Sequence, residues 1–317
     1  MENKVLQELQ AEFPHVIRLG EPMQDHTSFR LGGPAAAMAI PNSIKQLQDI
    51  LVFCRAHKLP IFIMGNGSNL LVRDGGIRAV VIKIAGAMST VTLTEAGMEA
   101  EAGISLSALA HTAVEAGLGG LEFAAGIPGT LGGAVVMNAG AYGGEMKDVV
   151  DFVLALDYEG REHRFNANEM NFGYRQSAIQ GKELTVVKVG LRLPEQDPAV
   201  SRALISDYNA RRRAKQPLHL PSAGSVFKRP PGHYAGQLIE EAGLKGKRIG
   251  GAQVSPMHAG FIVNVGNATA SDVEALIRHV QETVAAKFGV RLETEVRIVG
   301  ESIRPVAGET RTADEHI

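Results

Sequence analysis

The sequence predicts an α+β protein of two or three domains, and three observations carry that expectation. Alternating segments at residues 90–94 with 98–102, and 149–158 with 161–165, are spaced for two antiparallel hairpins. The glycine loop that follows residues 61–64 leads to another strand rather than a helix, which is the wrong topology for a dinucleotide-binding βαβ unit. The pattern then shifts near residues 195–210, and the boundary is set between an N-terminal region, 1–205, and a C-terminal domain, 206–304.

Each element has a local reason. Val5, Leu6, Leu9 and Phe13 recur at helical spacing, giving a short amphipathic helix ahead of a strand that ends near residue 19. Residues 35–40 form a strand. Ser43 with Gln46 three residues on makes a capping box for a helix whose buried stripe is Ile44, Leu47, Leu51 and Cys54, ended by Pro60. Residues 61–64 are a short apolar strand, and a turn at 73–78 leads to another at 79–84. Ser105 caps a helix running to Glu115, with Gly117 just past its end. Residues 184–193 alternate as a strand. Asp197 followed by Pro198 is an N-cap with proline at N1, opening a helix toward Arg211. A second capping box, Ser271 with Glu274, starts a helix to Phe288 that Gly289 stops. A final strand over 290–299 puts Val290, Leu292, Val296 and Ile298 on one face, with Glu293, Glu295 and Arg297 on the other. The tail beyond Arg304 is expected to be mobile.

Composition narrows the function. With 32 basic and 34 acidic residues the chain has no bulk attraction to nucleic acid or an anionic membrane. The densest basic run, Arg211 to Lys215, has no aromatic interleaving and suits a solvated helix end. No signal peptide and no apolar run of membrane-spanning length is present, so a cytoplasmic protein is expected. Cys54 is the single cysteine, on an apolar stripe, and reads as a buried inert thiol. No metal site is expected.

Two glycine-rich segments stand out. Residues 126–144 contain seven glycines interleaved with Ile, Leu, Val, Met and Tyr, unlike a flexible linker. Residues 65–71, Gly-Asn-Gly-Ser-Asn-Leu-Leu, offer consecutive amides able to form an anion-binding concavity without Lys or Arg. Two such loops suggest one extended ligand bridging both, with FAD the natural candidate.

These segments resemble the flavin-binding fold of the p-cresol methylhydroxylase type. More narrowly, the chain resembles the UDP-N-acetylenolpyruvoylglucosamine reductase family through residues 65–71, 125–134, 138–143, 171–177, 221–228, 236–246, 258–264 and 292–297. The resemblance spans roughly residues 20 to 304 in the family's motif order. It implies a two-part FAD-binding region (core about 30–195) and a C-terminal α/β substrate-binding domain. The implied reaction is NADPH-dependent, FAD-mediated reduction of UDP-N-acetylglucosamine enolpyruvate to UDP-N-acetylmuramate, in peptidoglycan precursor synthesis, by a monomer holding FAD noncovalently. The residues implied for FAD are Gly65, Asn66, Gly67, Ser68, Asn69 and Leu70, then Gly126, Ile127, Pro128, Gly129, Thr130, Gly132, Gly133, Asn138, Ala139 and Gly140. Arg175, Ser225 and Glu295 match the family's catalytic positions, Ser225 as proton donor. Arg175, Lys215, Tyr174 and Lys228 are the implied substrate contacts, and Lys215, Lys228 and Arg229 the candidates for steadying a Ser225 alkoxide. The short span from Arg175 to Ser225 lacks room for the tyrosine-loop insertion found in one branch of the family. Arg229 stands where some members carry asparagine, so no contact is carried over to it.

Taken alone, Arg175 reads as a structural arginine pairing a nearby acid, Ser225 as a turn residue after Gly224, and Glu295 as part of a solvated strand face. Two further readings remain open from the residues: an oxidase on the same flavin scaffold, and a noncatalytic flavin or UDP-sugar carrier.

Overall fold

A computed structural model describes residues 2–303; the tail expected to be mobile lies outside the described residues. The first sheet is four-stranded, in the order Ile17–Leu19, Ala35–Ala39, Ile77–Lys83, Ile61–Met64. Its outer N-terminal strand is antiparallel to its neighbour and the other pairings are parallel. The helix Ile44–Ala56 crosses between two of these strands, capped by the Ser43 side chain on the Gln46 amide. The reciprocal half of the box differs from expectation, because Gln46 reaches the amide of Asn42 rather than that of Ser43.

The second sheet is antiparallel, in the order Glu162–Asn166, Val150–Asp157, Leu184–Arg192, Gly97–Glu101, Val91–Thr94. Both hairpins expected from alternation are therefore part of one sheet. The helix Leu106–Glu115 starts at the Ser105 cap, and Gly117 follows it at φ +72°. One continuous core joins the two sheets and these helices, with Leu47, Ile50, Leu51, Met98, Leu106, Leu109 and Val153 fully buried. Cys54 lies in it, and burial pushes its thiol up to about 12, so the thiolate is scarce at neutral pH.

The C-terminal part packs the helices Ala235–Glu241 and Ala270–Phe288 on a small three-stranded sheet built from Arg248–Ile249, Ala252–Val254 and Ile262–Asn264. Its core also takes Phe29, Leu31 and Leu71 from the N-terminal half, so the two halves share buried apolar surface. Two expectations need correction here. The long helix is capped by Thr269 and Asp272, not by Ser271 and Glu274. Asp74 explains the shift: its carboxylate accepts from the amides of Ala270 and Ser271 and from the Ser271 hydroxyl. The last strand is only Arg297–Val299, pairing in parallel with Leu70–Val72. Residues 290–296 keep their alternating burial without a ladder, except for a bridge between Phe227 and Thr294. Among the described residues no helix is long and apolar enough to cross a membrane.

Candidate active site

The two glycine segments meet. A Cβ on Gly65 would lie 2.3 Å from Thr130 Oγ1, so glycine is what lets the first loop touch the second. Gly67 sits at φ +63°, and a Cβ there would lie 2.2 Å from the carbonyl oxygen of His26. The second segment is not all loop. Thr130 caps a short helix, Leu131–Val136, by accepting from the Gly133 amide. Gly132 is buried in that helix, where a Cβ would press on Ala102.

Between these loops, the antiparallel sheet and the C-terminal part runs a cavity of about 790 Å³. That is toward the upper end of the ~300–1,000 Å³ usual for small-molecule clefts. Residues 65–70 line it, as do Ile127, Pro128, Gly129, Thr130, Gly132, Gly133, Ala139 and Gly140. Gly126 and Asn138 stand behind it. Gly126 packs against Asn209 and Arg212, and buried Asn138 ties Glu145, Lys147 and the carbonyl of Gly173 together.

The lining suits a flavin dinucleotide on two counts. Among the described residues the main-chain amides of Asn66, Gly67, Ser68 and Asn69 find no acceptor, which leaves a row of donors for a pyrophosphate. Two buried oxygens, Thr185 Oγ1 and Gln216 Oε1, also have no partner, and both side chains line the cavity. Buried polar atoms are normally paired, so a donor from a ligand is the natural complement.

Arg175, Ser225 and Glu295, far apart in sequence, line this same cavity. Arg175 Nε donates to Glu295 Oε1 at 2.7 Å, with both side chains largely buried. Its Nη groups have no acceptor among the described residues and remain available for a bidentate anion. The backbone of Arg175 is held at φ +57°, an uncommon conformation for a side-chain-bearing residue. A tight turn imposes it: Gly173 and Gln176 exchange main-chain hydrogen bonds, and Gln180 donates to the Arg175 carbonyl. Glu295 is placed from the other side. Its amide donates to Val226 O, and its carbonyl accepts from the Asn69 side chain of the first glycine loop. Ser225 bridges to Phe261, and the Val226 amide donates to Gly260 O, which fixes the turn after Gly224.

The remaining expected residues divide. Tyr174 lines the cavity, half-exposed, and its Oη accepts from the Arg229 amide. Lys215 is exposed at the end of the helix Pro198–Lys215 and does not line it. Lys228 does not either; it pairs with Glu293 on a separate cleft beside Arg291. Of the three cations considered as steadying Ser225, only Arg229 lines the cavity, its guanidinium stacked 4.1 Å over the Tyr234 ring. Arg212, Gln216, His258 and Arg297 also line it; Arg212 belongs to the basic run whose arginines the resemblance sets near the UDP phosphates, and His258 and Arg297 fall in motif segments that assign them no role. Burial pushes the Arg212 guanidinium down from its usual value, and burial likewise lowers the His258 imidazole. His258 Nδ1 accepts from the Gly260 amide, one residue from the Ser225 bridge. The basic run reads as a charged helix end, and only the facing of the helix separates Arg212 from its neighbours.

Comparison with known proteins agrees with this geometry. Residues 35–166 match a family described as FAD binding domain, and residues 216–299 match UDP-N-acetylenolpyruvoylglucosamine reductase, C-terminal domain. A UDP-N-acetylenolpyruvoylglucosamine reductase from Alkaliphilus oremlandii is 53% identical over 90% of this chain and 94% of its own. One from Syntrophomonas wolfei is 49% identical over 91% of this chain and 96% of its own. The crystal structure of the reductase from Thermus caldophilus superimposes with a TM-score of 0.76 at 38% identity, covering 89% of this chain and 97% of that one.

Proposed function

The chain belongs to the UDP-N-acetylenolpyruvoylglucosamine reductase family, and from that premise we propose that it reduces UDP-N-acetylglucosamine enolpyruvate to UDP-N-acetylmuramate with NADPH as donor. It is an FAD-dependent oxidoreductase, and the reaction belongs to peptidoglycan precursor synthesis, in the cytoplasm. In this reading residues 1–205 hold the flavin noncovalently and residues 206–304 close over the substrate. The observation that carries it is the Arg175–Glu295 ion pair, set in the cavity that both glycine loops share.

The loop 65–70 and the segment from Ile127 to Gly140 would hold FAD, the free amides of residues 66–69 meeting its pyrophosphate. Bound there, FAD would supply the hydride chemistry, carrying the reducing equivalents of NADPH to the β-carbon of the enolpyruvyl group. Arg175 grips the substrate carboxylate through its free Nη edge and steadies the negative charge that develops toward it. Glu295 holds the guanidinium in that orientation through Nε. Ser225 Oγ gives its proton to the α-carbon, and Arg229, the one of the three candidate cations that lines the cavity, would steady the resulting oxygen charge. Tyr174 and Arg229, joined by a hydrogen bond from the Arg229 amide to the Tyr174 hydroxyl, both line this cavity.

The test separates the two half-reactions. Ser225→Ala should leave flavin reduction by NADPH nearly intact and stop formation of UDP-N-acetylmuramate. Equal loss of both half-reactions, or unchanged turnover, would contradict the assignment.

A further inference from the structure

A buried polar cluster lies behind the first glycine loop, outside the cavity. His26 is 9% exposed, with Nδ1 at 3.1 Å from Lys83 Nζ and Nε2 at 2.9 Å from Glu21 Oε1. A lysine ammonium only donates, so Nδ1 is the acceptor and Nε2 carries the proton given to Glu21. Arg18 holds the same Glu21 oxygen at 3.0 Å. Burial and the Arg18 charge both lower the Lys83 amine, and Glu21 opposes them.

The cluster grips the loop at two points. Lys83 ends its strand opposite Met64, the residue before the loop, and the next amide, that of Ile84, donates to Met64 O at 2.8 Å. The His26 carbonyl meets the loop tip, where a Cβ on Gly67 would lie 2.2 Å away. The Ser28 amide donates to Gly67 O at 3.2 Å, locking the tip to the same segment. Among the described residues, the Lys83–His26 contact is the side-chain hydrogen bond that ties the residue 26–28 segment to the strand Ile77–Lys83, which pairs with the strand feeding the loop.

We propose that Glu21, His26 and Lys83 are positioning residues that set the spacing of the amides at 66–69, and so the affinity for the pyrophosphate of the flavin. This rests on the reading of that loop as the flavin site. A row of amides binds an anion well only when held in place beforehand, because ordering it on binding costs free energy. The cluster touches neither the cavity nor the reacting atoms, so its effect appears in cofactor affinity rather than in substrate chemistry.

The experiment titrates FAD into flavin-free protein, following quenching of flavin fluorescence, with thermal unfolding of the same flavin-free samples. Lys83→Met removes the ammonium, and His26→Phe removes both hydrogen bonds at similar volume. Each should raise the Kd for FAD by about tenfold, the change expected for one hydrogen bond's worth of lost order. Lys83→Arg, which still donates to Nδ1, should restore most of the affinity. An unchanged Kd in Lys83→Met would overturn the proposal. So would a Kd that rises only as the unfolding temperature falls, without rescue by arginine, since that is the behaviour of a merely structural cluster. Wild-type protein that fails to quench FAD would overturn the cofactor reading itself and this inference with it.

Discussion

Replacing Glu295 by Gln tests the site at its most constrained contact. The substitution keeps shape and a hydrogen-bond acceptor but removes the charge that Arg175 Nε meets at 2.7 Å. A hydrogen bond to a charged group contributes about 1.5–3 kcal/mol, and a neutral one about 1 kcal/mol. The net loss is therefore about 0.5–2 kcal/mol. Much of it falls on the orientation of Arg175, whose backbone already sits in the left-handed region. If the free Nη edge must face a developing charge, that energy appears in the barrier, where each 1.36 kcal/mol is about tenfold in rate. Glu295→Gln should slow substrate-driven reoxidation of the reduced flavin by roughly 2–30-fold in rapid-mixing experiments. Reduction of the flavin by NADPH should change little. An unaffected reoxidation step would refute the argument, as would equal slowing of both steps.

Other consequences follow from the same geometry. Gly67→Ala combines positive φ with a Cβ 2.2 Å from the His26 carbonyl; FAD binding should weaken by at least about tenfold, and wild-type affinity would contradict the close approach. Asp74→Ala removes the carboxylate shared by the first amides of the helix Ala270–Phe288. It should cost about 1–2 kcal/mol of stability in denaturant unfolding, as cap losses do, and no change would show that Thr269 suffices. Burial opposes ionisation of Asp157, but hydrogen bonds from His163 and Arg161 outweigh it and bring the carboxyl down to about 2. Its folded value lies below the unfolded one of about 3.9, so its contribution is full above about pH 4 and is lost as pH falls through about 2. The stability gap between wild type and Asp157→Asn should therefore shrink over that window, and a constant gap would refute the assignment.

Much of this was legible in the sequence, for local reasons. Ser43, Ser105 and Asp197 cap their helices as their spacing implied, because capping is settled within four residues. Alternation found both hairpins. What escaped notice was decided at long range. The strand Leu70–Val72 has its partner at the far end of the chain, and the cap at Thr269 is completed by Asp74. The short helix inside the second glycine segment was hidden because glycine is a poor helix former, and only the close approach to Ala102 calls for it there. At the site, the plain reading of Arg175 as an arginine pairing an acid and the functional one coincide, since the acid is Glu295. Lys215 and Lys228 join the site only through the family resemblance, whereas in the structure Lys215 is exposed at its helix end and Lys228 pairs with Glu293, and neither lines the cavity.

The most direct measurement is the visible absorption of the purified protein before and after denaturation. The account predicts an oxidised-flavin spectrum and one equivalent of FAD released on unfolding, bleached by NADPH and restored by the enolpyruvyl substrate. Folded protein that stays colourless after incubation with excess FAD would contradict it.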